Sequence, residues 1–328
     1  MQTNNIKYLK YKPLQYALLS LFLFLVISLL NGQNGWGPSA SNEQAIGQIS
    51  RWCERVSGGF FREPSNTLGN LGFIATGLYM FLTLARDSSI KKNAKQFMFG
   101  SSSIAILYAS ASTFLGPGSM AMHGTHTRFG SWIDNVSMIA YILIIWIYNI
   151  KRLTNSSNKT YFSMYIFLLT YYSFASWFIG SDLGIGISLF EVSIGLWIAT
   201  EVLIKFPNFY GRILSGLTVL VIQQIFGSSV LDALTNLADN WFVILYFLPA
   251  FIPNINQNIN IKRKYTPWFF IGFISFFSAL LIWGTGVPSH PWCNPDSWLQ
   301  AHMVWHMLCS VATLSFFNFY RNEVLLRD

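Results

Sequence analysis

Residues 132–150 read WIDNVSMIAYILIIWIYNI, and Lys151 and Arg152 follow at once. Apart from Asp134 near its start this run carries no charge. It is about as long as the ~20 apolar residues a helix needs to cross the hydrocarbon of a bilayer. Lipid offers exposed peptide groups no hydrogen bonds, so such a segment is stable there only as a helix. Composition extends the reading to the whole chain. Of the 328 residues 52% are hydrophobic and 10% charged, where a soluble domain carries about 25% charged residues. Too little polar surface remains to cover a water-soluble globule, which excludes a soluble enzyme, a coiled coil and a disordered protein. The expected fold class is all-α, a polytopic transmembrane helix bundle.

Working outward from 132–150, comparable runs fall at 15–30, 67–85, 97–116, 161–179, 184–204, 213–231, 240–252, 268–285 and 299–320. The run at 240–252 is short and holds Pro249, so with 213–231 it reads as a re-entrant hairpin. With the N-terminus inside, all but four of the 21 Lys and Arg fall in inner segments; the exceptions are Arg51, Arg55, Arg62 and Arg128. Cytoplasmic loops collect Lys and Arg, so both termini are expected in the cytoplasm. The net charge of +8 is spread in small groups between apolar runs. That distribution points to the lipid bilayer as partner and away from nucleic acid. The first run follows a basic start, and either a cleaved signal peptide or a signal-anchor would look this way. Leu30-Asn31-Gly32-Gln33 is a poor cleavage site. Residues 1–50 are therefore read as a signal-anchor span with an outer loop, and 51–328 as one membrane domain.

Ionisable residues in or beside spans are expensive and usually line a site. Of the five His in the chain, His302 and His306 stand four apart at the start of the last run. That spacing is about one helical turn and puts both imidazoles on one helix face, the way a helix presents two nitrogen ligands to a metal. Hydrogen bonding between helices, or axial ligation of a haem, would use the same pair. His123 supplies a third imidazole near the outer end of the third run, with His126 close behind. Ser119 lies one turn before His123, and Asp134 opens the next run. The charge-derived orientation brings Ser119, His123, Asp134, His302 and His306 to one leaflet. Three imidazoles with an open fourth position make the ligand set of a catalytic zinc, and suit calcium or magnesium poorly. Asp134 would then orient or deprotonate the attacking water, and Ser119 would donate to an oxyanion or simply pack between helices.

The outer loop 51–70 reads RWCERVSGGFFREPSNTLGN. Glu54 and Glu63 could bind a hard cation or pair with Arg55 and Arg62. Asn66 reads as the cap of the following helix.

Taken together, Ser119-x3-His123-x10-Asp134, His302-x3-His306, Trp52-Cys53-Glu54 and Glu63-x2-Asn66-Thr67-x2-Asn70 resemble the alkaline ceramidases. These belong to a superfamily of seven-span membrane proteins that includes adiponectin-receptor relatives. The resemblance runs from about Trp52 to Arg321, and Cys293-Asn-Pro-x-Ser-x2-Gln-x-His302 and Trp305-His306 add to it. It implies a seven-helix core made of the second to sixth, ninth and tenth runs, with the first run and an inserted pair at about 208–255 as additions. It implies zinc on His123, His302 and His306, with Asp134 and Ser119 acting on water and substrate. It also implies a calcium ion held by the Trp52 carbonyl, Glu54 and Glu63. Here the chain departs from the pattern: Arg51 stands for an Asp, Val56 for an Asn and Gly69 for a Ser, so calcium should bind more weakly. Cys53 and Cys293 match cysteines of the family and both fall in outer loops, where a bridge between them is expected; Cys309 reads as a packing residue.

The function expected on these grounds is zinc-dependent hydrolysis of a ceramide-like N-acyl lipid, releasing a fatty acid and a sphingoid-type amine. The lipid would enter sideways from the outer leaflet, with its acyl chains on Phe, Trp and Leu side chains. The alternative is a receptor-like or transport protein of the same superfamily without amidase turnover. The site is expected on the periplasmic or lumenal side of a bacterial inner membrane or a eukaryotic endomembrane. Oligomeric state is not legible in the sequence.

Overall fold

Regular structure in the computed structural model is almost entirely helical, and the description covers residues 10–88, 98–225, 235–236 and 240–326. Lys7, Lys91, Lys92, Lys95, Arg327 and the end of the 213–231 run lie outside the described residues. In chain order the helices are α1 (Lys12–Gly32), α2 (Pro64–Gly69), α3 (Leu71–Asp87), α4 (Ser103–Thr125), α5 (Arg128–Thr154), α6 (Asn158–Phe178), α7 (Leu189–Lys205) and α8 (Phe209–Ile225). A 3-10 helix (Trp241–Phe251) follows, then α9 (Ile255–Asn258), α10 (Trp268–Gly284) and α11 (Ala301–Arg321).

Four stretches among the described residues are long and apolar enough to cross a membrane: Lys12–Gly32, Pro64–Asp87, Ser103–Thr125 and Arg128–Thr154. That is fewer than the ten runs read from the sequence. Trp241–Phe251 and Trp268–Gly284 are apolar but shorter. In the 240–252 run the chain forms a 3-10 helix rather than an α-helix, with Pro249 unable to donate a backbone bond. Helix α11 has 21 residues but spaces His302, His306, Ser310, Thr313, Ser315 and Asn318 along its length, and this polarity sets it apart from the four. Helix α1 buries none of its residues, and Phe22 and Leu30 are among its exposed apolar side chains.

The chain divides into two compact units. The first, Met1–Ser137 with Lys262–Leu325, holds α1 to α4, the start of α5, α10 and α11. Within it α10 packs along α11, α3 along α4, and α11 against α2 and α3. Small residues allow the close approaches, as is usual between membrane helices. A Cβ on Gly69 would lie 2.9 Å from the Met303 carbonyl oxygen, so this contact requires a residue without a side chain. The buried Tyr108 hydroxyl donates to the Thr313 carbonyl at 2.9 Å and ties α4 to α11. At the far end of α11, Arg321 grips Asp87 through two hydrogen bonds of 2.8 and 2.6 Å. Helix α4 runs through Pro117 to Thr125, beyond the expected end at 116, and so carries Ser119 and His123 on its last turns.

The second unit, Met138–Ile261 with Leu326–Asp328, holds the rest of α5, α6 to α9 and the 3-10 helix. Helices α7, α8 and the 3-10 helix pack on one another around Ile187, Val192, Ala199, Val219, Leu220, Val243 and Tyr246. Close packing of these side chains is what holds the three helical segments together. Its polar complement is Asn149, whose amide donates to Thr200 Oγ1 and Glu201 Oε2, both at 3.1 Å.

Candidate metal centre

Helix α4 presents Ser119 and His123 one turn apart, and α11 presents His302 and His306 one turn apart, all four buried. The packing of these helices brings the three imidazoles together, with 1%, 4% and 6% of their surfaces exposed for His123, His302 and His306. His302 Nε2 lies 3.1 Å from His123 Nε2, and His306 Nε2 lies 3.3 Å from it. Their ligand atoms all fall within 4.8 Å of one another. Nitrogens about 2.0–2.1 Å from a tetrahedral ion stand roughly 3.3 Å apart, so two of the three separations already match metal ligation. Three buried ring nitrogens face one another, and each presents a lone pair when unprotonated. A cation at that point satisfies all three lone pairs at once, and the donor set therefore fits a divalent metal ion.

The nitrogens facing away from the centre are treated differently. His123 Nδ1 is 2.8 Å from Glu63 Oε2. Donation there keeps the proton on Nδ1 and leaves Nε2 free to ligate, the arrangement usual behind metal-bound histidines. The other oxygen, Oε1, is 2.7 Å from His126 Nε2. His126 ends α4 in the left-handed conformation with φ +54°, uncommon for a residue with a side chain, and this turn lays its ring on Glu63. Asn66 Nδ2 adds a bond of 2.7 Å to Glu63 Oε2.

Asp134, at the start of α5, lies near His123 and Ser119. The Ser119 hydroxyl is buried and has no hydrogen-bond partner among the described residues. Its neighbours are held close: a Cβ on Gly118 would lie 2.5 Å from Ser137 Oγ, and one on Gly130 would lie 2.3 Å from the Ala121 carbonyl oxygen. The five residues expected at one face, Ser119, His123, Asp134, His302 and His306, are thus placed within one neighbourhood of the first unit.

The loop 51–70 differs from its sequence reading. Glu54 and Glu63 pair with neither Arg55 nor Arg62: Arg55 forks onto Asp296 at 2.6 and 2.9 Å, and Arg62 reaches the Ser57 carbonyl. Glu54 accepts from the backbone N–H of Ser65 at 2.7 Å and of Asn66 at 2.9 Å. It therefore caps α2, the task expected of Asn66, which instead lies inside the first turn because Pro64 starts the helix. Burial pushes the Glu54 carboxyl above its ordinary value despite these bonds. Each of the four carboxylate oxygens of Glu54 and Glu63 thus has a protein donor within hydrogen-bond distance. Trp52 contributes its side chain to the site rather than only a carbonyl, stacking on His302.

One position, Glu43, was not singled out in the sequence. Glu43 pairs with Arg51, and its Oε2 stands 4.0 Å from His126 Nδ1, with both side chains buried. Burial raises the Glu43 carboxyl, against the pull of Arg51. The Cys53–Cys293 bridge is present, with Cα atoms 5.6 Å apart, and joins the outer loop to the segment before α11; Cys309 is free and buried. No protein-family model matches the chain, and no curated protein matches it.

Proposed function

We propose that the protein is a zinc-dependent intramembrane amide hydrolase acting on a ceramide-like N-acyl lipid. The observation that carries this reading is the convergence of three buried Nε2 atoms from α4 and α11, with Glu63 fixing His123 from behind. His123, His302 and His306 would hold the zinc ion, which when bound would supply a Lewis acid for a carbonyl and lower the pKa of water. The remaining chemistry belongs to side chains already described. Asp134, beside His123, takes the proton of the attacking water. Ser119, whose hydroxyl is free of other partners among the described residues, donates to the carbonyl oxygen as it gains negative charge. Water adds across the amide: its oxygen goes to the acyl carbon, a proton goes to the nitrogen, and a fatty acid and an amine leave.

The aromatic series Trp52, Trp283, Trp305 and Phe276, with successive centroids 5.6, 6.3 and 6.0 Å apart, adjoins His302 through Trp52 and suits an acyl chain. In the topology that accompanies this reading, seven helices form the core and both termini are cytoplasmic. The metal centre then faces the periplasm or lumen, where the Cys53–Cys293 bridge persists. The test is release of fatty acid from a labelled ceramide by purified protein in detergent or nanodiscs. Turnover is expected from the wild type and not from His306→Ala or Asp134→Ala. A wild-type protein that binds one zinc yet releases no fatty acid would instead be the receptor-like or transport protein.

A further inference from the structure

His302 and His123 are oriented by different means. His123 donates Nδ1–H to Glu63 at 2.8 Å. His302 Nδ1 is buried and has no hydrogen-bond partner among the described residues. A histidine that ligates a metal normally donates its second N–H, and that bond sets the plane and tilt of the ring. The constraint on His302 comes from an indole: the Trp52 ring lies 4.2 Å away, centroid to centroid, with the planes only 16° apart. Trp52 is itself confined. The Arg51 guanidinium sits 5.6 Å over its ring, Trp283 lies 5.6 Å away, and Cys53, the next residue, is bonded to Cys293. Arg51 in turn pairs with the buried Glu43, which faces His126, which bonds Glu63. The outer loop thus makes a continuous series of contacts from the back of His123 to the back of His302.

We propose that Trp52 is a positioning residue of the metal centre, its ring face doing for His302 what the Glu63 carboxylate does for His123. The inference rests on the metal reading of the three histidines. It separates from that reading because it concerns how well an ion is held and in what geometry. A flat face is the property required: Phe keeps one, and Leu fills space without it.

The experiment uses the full-length protein in detergent, stripped of metal. Zn2+ affinity is measured by competition with a chromophoric chelator, the visible spectrum of the Co2+ form is recorded, and the metal-free protein is melted. Trp52→Leu is expected to bind Zn2+ about tenfold or more weakly and to shift the Co2+ bands. Trp52→Phe is expected to stay close to the wild type in both, and the metal-free melting temperatures of all three should agree. Equal Zn2+ affinity and identical Co2+ spectra for Trp52→Leu and the wild type would overturn the proposal. So would an equal loss in Trp52→Phe and Trp52→Leu, because the face would then be irrelevant. A wild type that binds no Zn2+ would overturn the metal reading itself.

Discussion

In the first unit Glu63, Asn66, His123 and His126 are buried and joined by hydrogen bonds of 2.7–2.8 Å, whereas in the second unit Ile187, Val192, Val219, Leu220 and Val243 bury hydrocarbon. Buried polar groups cost free energy unless each is paired, so a network of them persists only where its geometry is useful. An aliphatic cluster asks for volume and little else. The difference separates a unit built to hold side-chain nitrogens in place from one built to be packed.

Removing a metal ligand breaks this contrast most severely. His123→Ala is expected to lose zinc and about a thousandfold or more in turnover, the several kcal/mol a metal contributes to charge stabilisation. Leu220→Ala in the second unit is expected to cost about 2–5 kcal/mol of stability and to keep one zinc per chain. Metal analysis and thermal melting of both variants measure the two halves of this comparison. Asp134→Asn comes next: turnover should fall by about 10²–10⁴ with zinc content unchanged, read from single-turnover assays on the metal-loaded protein. Glu63→Gln acts one step further back and should weaken zinc by about 10–100-fold, seen in chelator competition.

The smallest effect lies at the surface. Arg55 holds the exposed Asp296 carboxyl below its ordinary value through their hydrogen bond. A depressed carboxyl contributes stability above its unfolded pKa, about 4, and that contribution disappears as the pH falls through the folded value. Wild type should therefore exceed Asp296→Asn slightly above about pH 4, and the gap should close in acid or in salt. Melting curves across pH at two salt concentrations would show it.

How much of this was legible beforehand depended on whether a residue sat in a periodic element. Ser119, His123, His302 and His306 each stand four residues from a partner, so helical geometry alone placed them in pairs on common faces. The Lys and Arg distribution then brought Asp134 to the same end. Glu43 had no such signal, because its contacts with Arg51 and His126 are set by the path of an irregular loop. The Trp52 ring was one of 12 tryptophans and stood out only as a carbonyl. Asn66 was misplaced although the sequence held the correction: Glu63-Pro64 marks a helix beginning with Pro, which moves the cap upstream. The form of the 240–252 run was not legible either, because apolar composition does not reveal that the chain winds there into a short 3-10 helix.

The most direct test of the three-histidine centre is a diffraction experiment at the zinc absorption edge on crystals of the purified protein. One anomalous peak is expected, at about 2.0–2.1 Å from the Nε2 atoms of His123, His302 and His306. A map with no peak there, or with its only peak on other residues, would contradict it.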